Sequence, residues 1–309
     1  MRRALVFGSL NIDYVYEVPH FVAAGETLAA GALNLYPGGK GLNQSIALSR
    51  AGMETWMAGA VGGAGRFLIT ELNGAGVNTE RVAVLAEGRS GHAIIQRTES
   101  GENCILTYGG ANMRIDEVLA ERALTGFGPE DLLVVQNEIS SLPFIVAKAK
   151  AQGMQVALNP SPLSESLVPL LPQVDFLILN EVEAAQLVGA ALDADPAYLL
   201  RKVRSACPQA SVVLTLGEKG CLYSCGEENL GQASLPVQPV DTTAAGDTFT
   251  GYFLAGIGEG KDAAWALRYA ATAAGIAVTL PGAAPSIPER AAVLARMGMD
   301  NAGAASEEA

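Results

Sequence analysis

The stretch DTTAAGDTFTGYF, residues 241–253, sets two aspartates, Asp241 and Asp247, on either side of a run of small residues. A helix-like pattern continues from about Asp247. Ala244, Ala245 and Gly246 therefore precede a helix N-terminus, where backbone N–H groups lack intrahelical acceptors and the helix dipole is positive. Such a place stabilises the negative charge that grows on a transferring phosphoryl group. Asp247, at the start of the same helix, would face a hydroxyl next to that group. An alcohol has a pKa of roughly 15 and an aspartate about 4, so full deprotonation before attack is far uphill. The carboxylate would instead orient the hydroxyl and accept its proton late, an effect on the order of 10²–10⁴ in rate. Taken alone, AAGD favours a simpler account in which Asp247 is an ordinary N-cap.

A second segment with chemical potential is YPGGKGLNQSIALSRAG, residues 36–52. Its glycines permit close backbone approach, and Lys40, Asn43 and Gln44 lie at the start of the helix that follows. It is not a P-loop, because Gly41 stands where that motif needs Ser or Thr. The first strand is followed by GSLNID rather than a GxGxxG fingerprint. Both common nucleotide-binding motifs of a doubly wound sheet are thus absent.

These residues need a frame. ALVFGSL (4–10), TWMAGAV (55–61), DLLVVQN (131–137), MQVALN (154–159), DFLILN (175–180) and SVVLTLG (211–217) are continuous apolar runs, as expected of strands covered on both faces. Amphipathic stretches at 42–52, 143–153 and 197–206 alternate with them. That order predicts an α/β fold, a doubly wound, mostly parallel sheet flanked by helices. The segments 13–19 with 26–37, and 91–98 with 103–110, have no helix between their members and predict a small antiparallel β lid. One domain over 1–309 is expected, with the lid drawn from about 13–37 and 91–110 and a frayed tail at 302–309. Ligands bind beyond the carboxyl ends of parallel strands. The polar residues there are Asn11, Asp13, Glu138, Asn159 and Asn180, with Gly217 beside them; singly, each is more often a cap or turn former.

Composition narrows the function. A net charge of −12 argues against a nucleic-acid or anionic-membrane partner. The Ala-rich tract from Trp265 to Leu280 is interrupted by Arg268 and falls short of the ~20 apolar residues of a spanning helix. The N-terminal apolar run is cut by Ser9, Asn11 and Asp13, too early for a signal peptide. Cys104, Cys207, Cys221 and Cys225 have no zinc-knuckle spacing and are expected to be reduced core thiols, which points to the cytoplasm.

PGGKGLNQSIALSRAG and VDTTAAGDTFTGYFLAGI closely resemble the two signature segments of the ribokinase-like carbohydrate kinases. LNEVEA (179–184), TLGEKG (215–220) and TLPGAAPSIP (279–288) follow in the family's order, so the resemblance spans essentially the whole chain. It implies transfer of the ATP γ-phosphoryl group to a primary hydroxyl of a free sugar. The N-x-D after strand one, the GGKGxNQ and the glutamate of VVQNEIS most resemble the members that act on D-ribose. Another pentose, a hexose or a nucleoside remains an alternative, as does a non-catalytic sugar or nucleotide sensor, against which the retained Asp247 weighs. Carried over, the resemblance implies that Asn11, Asp13, Gly39, Lys40, Asn43 and Glu138 bind the sugar. Asp247 would be the base, with Ala244, Ala245 and Gly246 as the anion hole. Asn180 and Glu183 would serve the phosphates and a magnesium ion held largely through water, while Thr215, Gly217 and Gly220 line the nucleotide cleft. A potassium ion would sit at Asp241, Thr243, Ala277, Leu280, Gly282 and Ser286, mostly on backbone carbonyls. The lid implies a homodimer. The chain departs from the family at 61–72, where VGGAGRFLITEL lacks the usual aspartate, and at Thr243, more polar than the common residue.

Overall fold

The computed structural model describes residues 2–307, with side chains as far as residue 298; the tail expected at 302–309 lies outside the described side chains. In chain order the first half contains β1 (Arg3–Phe7), β2 (Asn11–Glu17), β3 (Ala32–Gly38), α1 (Lys40–Arg50), β4 (Glu54–Gly62), α2 (Arg66–Gly74), β5 (Asn78–Leu85), β6 (Gly91–Arg97), β7 (Asn103–Tyr108), α3 (Glu117–Leu124), β8 (Leu132–Gln136) and α4 (Leu142–Ala151). The second half contains β9 (Gln155–Asn159), β10 (Phe176–Asn180), α5 (Glu181–Val188), α6 (Pro196–Ala206), β11 (Ser211–Thr215), β12 (Cys221–Cys225), β13 (Glu228–Gln232), α7 (Ala245–Gly258), α8 (Ala263–Ala277) and α9 (Arg290–Glu307).

A nine-stranded sheet runs β13-β12-β11-β10-β9-β8-β1-β4-β5. Its strands from β5 to β11 pair in parallel, and β12 and β13 close one edge as an antiparallel hairpin. The continuous apolar runs are explained by two cores, one on each face. Ala4 and Val6 of β1 pack on one side with Ile46 of α1, Phe253 of α7 and Ala270 of α8. Leu5 and Phe7 turn to the other, against Ala123 of α3, Ile145 of α4 and Val203 of α6. Alternation along a strand thus fills both cores at once. The tract at Trp265–Leu280 is mostly α8, much of it buried in the first core. Among the described residues no helix is long and apolar enough to cross a membrane.

The lid is a second sheet in the order β3-β2-β6-β7. Its hairpins β2/β3 and β6/β7 are antiparallel, as expected, but the strands that join them, β2 and β6, pair in parallel from Asn11↔Gly91 to Glu17↔Arg97. The two hairpins join through their first strands, which run in the same direction. β3 is also shorter than expected, beginning at Ala32 rather than near Glu26. The strand β5 and the hairpin β12/β13 are additions to the sequence reading; with intermediate burial over most of β5, its run NTERVAVL lacks the continuous apolar signal.

Candidate active site

Glycine contacts seat α1 at the end of β1. A Cβ on Gly41 would lie 2.6 Å from the Gly8 carbonyl carbon and the Ser9 nitrogen, so α1 starts hard against the strand end. Gly39, the N-cap of α1, has φ +97, and a Cβ there would lie 2.7 Å from Ser9 O. Both the left-handed backbone and the close approach demand glycine. Leu42 N donates to Ser9 O at 3.1 Å, and residues 41–48 are buried. β3 runs into this turn directly, so one side of the lid is continuous with α1.

The helix expected at Asp247 is α7, but its N-cap is Ala244 (φ 60, ψ 10), a non-glycine residue in the left-handed region. Asp247 is therefore not the cap. The residue is only 9% exposed, and its carboxylate turns to α1: Asn43 Nδ2 donates to Oδ2 at 2.9 Å and Gln44 Nε2 donates to Oδ1 at 2.9 Å. Burial pushes its pKa up, opposed by the charge of Lys40 and by these two bonds. Of the expected anion-hole amides, Ala245 N–H is turned back onto Thr242 O at 3.2 Å. Gly246, in the first turn, has no intrahelical acceptor by helix geometry. Ala244, Ala245, Gly246 and Asp247 line one cavity of about 160 Å³ with Lys40, Asn159, Asn180, Glu183 and Thr215.

The residues expected to hold a sugar gather beneath the lid. Asn11 and Asp13 open β2, and the Asp13 carboxylate lies over Gly38, where a side chain would clash with it. Burial, then the neighbouring charge of Glu138, pushes Asp13 up to about 7. Glu138 accepts from Ser9 Oγ and lies 3.9 Å from Lys40 Nζ. Lys40 is held above its ordinary value: burial would lower it, but Asp247, Glu138 and Glu183 outweigh that. Asn43 Oδ1 is buried without a partner, an acceptor free for a substrate hydroxyl. Asn112, which the sequence did not single out, organises this end. Its Oδ1 accepts from Leu10 N at 3.0 Å and its Nδ2 donates to Asn11 Oδ1 at 2.8 Å. At the variant segment 61–72, Ser90 Oγ accepts from Gly62 N at 2.9 Å, and a Cβ on Gly65 would clash with it.

Across the cavity, Asn180 and Glu183 form a reciprocal capping box at the start of α5: Glu183 N donates to Asn180 Oδ1 at 2.9 Å and Asn180 N to Glu183 Oε2 at 3.1 Å. One carboxylate oxygen of Glu183 remains uncommitted by that box. Among the described residues no group of three His, Cys, Asp or Glu could hold a metal. The free carboxylate oxygen of Glu183 is a hard donor of the kind a magnesium ion takes, directly or through water. Gly217 and Gly220 build the tight turn after β11, closed by Leu216 N on Gly220 O at 2.8 Å.

Behind α7, Asp241 ties two loops. Oδ1 accepts from Thr243 N at 2.9 Å and Thr243 Oγ1 at 2.6 Å, and Oδ2 accepts from Gly282 N at 2.9 Å. Burial, the largest influence, would raise its pKa; these bonds and the charge of Arg97 on the lid outweigh it and hold it low. Leu280 N donates to Ala277 O at 3.1 Å, and the fully buried Ser286 closes its own turn on Ala283 O. The oxygens gathered here, carboxylate, hydroxyl and carbonyl, are of the kind a potassium ion takes, though both Asp241 oxygens and Ala277 O already accept hydrogen bonds. The four cysteines are unpaired, but Cys104 is exposed on β7 rather than in the core.

The profile of the pfkB family carbohydrate kinases matches residues 1–290. A ribokinase of Haemophilus influenzae is 34% identical over 296 residues, covering 94% of this chain and 97% of the relative. The structure of Arabidopsis thaliana ribokinase complexed with ribose and ATP superposes with a TM-score of 0.84 at 30% identity, over 95% of this chain and 98% of that one. Ribokinase from Cryptococcus neoformans in complex with ADP gives 0.82 at 32% identity, over 96% and 99%.

The Asp13 environment has a consequence for stability. Its carboxyl titrates at about 7 in the fold against 3.8 unperturbed, so between those values the folded protein keeps a proton that the unfolded chain has released. Its contribution to stability is full below the lower value and is lost as pH rises through the upper one. Urea midpoints of the ligand-free protein should fall across that window, and Asp13→Asn should reduce the fall. An equally steep fall in the variant would contradict this account of Asp13.

Proposed function

This chain belongs to the pfkB family of carbohydrate kinases and is an ATP-dependent sugar kinase, and we propose that its acceptor is D-ribose, converted to D-ribose 5-phosphate. The observation that carries this reading is the position of Asp247, a buried carboxylate beside Lys40 and the first turn of α7 in one cavity. A base and an anion site side by side are what phosphoryl transfer to an alcohol requires. The polar set Asn11, Asp13, Asn43 and Glu138 suits a hydroxyl-rich sugar, whereas a nucleoside would want apolar surface for its base.

In this reading Asn11, Asp13, Gly39, Lys40, Asn43 and Glu138 hold the sugar so that its primary hydroxyl meets Asp247. The carboxylate orients that hydroxyl and accepts its proton as the new P–O bond forms, and its raised pKa makes it a better acceptor. The turn Ala244, Ala245 and Gly246, through the Gly246 N–H and the positive end of α7, balances with Lys40 the charge that develops on the phosphoryl oxygens. Asn180 and Glu183 act on the nucleotide phosphates and, through water, on magnesium, which when bound offsets phosphate charge. Thr215, Gly217 and Gly220 line the nucleotide side. A potassium ion, when bound at Asp241, Thr243, Ala277, Leu280, Gly282 and Ser286, adds positive charge beside the loop that Asp241 already braces. The unpaired cysteines support a cytoplasmic setting. The lid leaves Leu33, Leu35, Ile105, Leu106 and Tyr108 exposed, between 46% and 68%, which supports a homodimer built on it.

Asp247→Asn should keep sugar binding by calorimetry but lower kcat at least about a hundredfold; near-parental turnover would sink the assignment of the base. In a coupled ADP-release assay across pentoses, hexoses and nucleosides, ribose should give the highest kcat/KM, and potassium should raise the rate over sodium. A better hexose or nucleoside would displace ribose, and indifference to the cation would remove the potassium site. The parent should run as a dimer in light scattering, and the double variant Ile105→Lys, Leu106→Lys as a monomer; a monomeric parent refutes the lid dimer.

A further inference from the structure

A buried amide chain leads to the base from the interior of the sheet. Gln136, the last residue of β8, and Gln44 on α1 are both fully buried. Gln136 Nε2 donates to Gln44 Oε1 at 2.6 Å. Gln44 Nε2 donates to Asp247 Oδ1 at 2.9 Å and, at 3.4 Å, to Asn159 Oδ1. Asn159 Nδ2 in turn donates to Ile178 O at 2.9 Å. Every polar atom of the Gln44 amide is engaged, and each neighbour demands the same orientation. A flipped Gln44 would set its oxygen against the Asp247 carboxylate and Asn159 Oδ1, and its NH₂ against that of Gln136.

From this chain we infer that Gln44, locked in one orientation by Gln136, is a positioning residue that aims the Asp247 carboxylate at the acceptor hydroxyl. The inference rests on the reading of Asp247 as the base. Asn43 holds one carboxylate oxygen and Gln44 the other, so a turn of the carboxylate about its Cβ–Cγ bond would break both bonds. Gln136 presents its NH₂ to Gln44 while its own Oε1 is left buried without a partner. An unpartnered buried carbonyl is unfavourable; a chain selected for stability alone would carry an apolar residue here, as at the other positions of β8. The chain extends to Gly8, where any Cβ would clash with Gln136 Oε1. The glycine after β1 therefore serves Gln136 as well as α1.

The charged groups that face Asp247 are Lys40 from α1 and Glu138 from beyond β8, with Glu183 of α5 across the cavity and Asp13 of β2 beside Glu138. None of them hydrogen-bonds to Gln136, whose side-chain bond is to Gln44, so an uncharged variant at Gln136 that keeps the volume acts on the base through Gln44, while an ionised Gln136→Glu adds a negative charge near Asp247 as well. Gln136→Met keeps the volume and removes the donor. Gln136→Glu keeps a donor only while its carboxyl is protonated; once ionised, it draws the Gln44 NH₂ to itself and turns Gln44 Oε1 toward Asp247.

The test is a pH series of kcat and kcat/KM for ribose, with ribose affinity measured separately by calorimetry. Gln136→Met should lower kcat about tenfold or more with ribose affinity within about threefold, since a small misplacement of a base can cost up to a hundredfold. Its acid limb should move to higher pH, because Asp247 loses a well-placed donor. Gln136→Glu should be nearly as active as the parent at low pH and lose turnover as pH rises, with a limb the parent lacks. A purely structural role for the chain would lower thermal stability while Gln136→Met, measured where it is folded, keeps the parental kcat. If both variants reproduce the parental kcat and pH profile, the inference falls; if Gln136→Met does not fold, a parental profile in Gln136→Glu is sufficient to overturn it. Full turnover in Asp247→Asn would instead defeat the underlying reading of the base, whatever the Gln136 variants do.

Discussion

A carboxylate in a protein interior must be met by donors, and in this chain the donors of Asp247 belong to a helix some two hundred residues earlier. Hydrogen bonds to a charged group contribute about 1.5–3 kcal/mol each, and those of Asn43 and Gln44 oppose the burial that raises the pKa of Asp247. The pairing of α1 with α7 therefore comes first. Small residues make it possible: a Cβ on Gly251 of α7 would clash with Ala47 Cβ and lie 2.9 Å from Leu48 N. Gly8 and Gly41 bring α1 equally close to β1. Four glycines and alanines, none of them chemically active, decide where the carboxylate stands.

The lid is fastened to the same point. β3 ends at Gly38, Gly39 turns the chain, and Lys40 begins α1, so a movement of the hairpin is felt at Lys40 within two residues. On the other side Asn112 bridges Leu10 and Asn11 to the segment that follows β7. At its far end the lid is crossed by the Glu17–Arg97 ion pair, whose arginine charge is felt at Asp241. The lid thus bears on both halves of the site: it carries Asp13 itself, and the charge of its Arg97 reaches Asp241 in the loop that leads into α7.

Much of this arrangement is legible in the residues. Continuous apolar runs could only be strands covered on both faces, and DLLVVQN or DFLILN end in polar residues at the edge where a parallel sheet binds ligands. β5 escaped because its half-buried run has no such signal, and the β12/β13 hairpin because its strands are short and sit at an edge. Gln136 could have been noticed as the one amide within an otherwise apolar buried strand. Its partner Gln44 stood beside Asn43, and nothing in their spacing said that the two belonged to one chain of bonds. The capping role given to Asp247 by its local sequence was wrong for a physical reason: Ala244 adopts the left-handed cap conformation itself, which frees Asp247 to turn away from its own helix.

Local pattern alone carried the fold class and the lid's two hairpins, because those follow from periodicity and glycine placement, and the two short segments that resemble the family's signatures carried the family. Only the tertiary structure decided which groups meet Asp247, that the lid's hairpins join through a parallel pair, and that Gln136 reaches the site through Gln44. Those contacts depend on side chains far apart in sequence converging on one buried volume, and the orientation of each amide is set by its neighbours in space rather than by those along the chain.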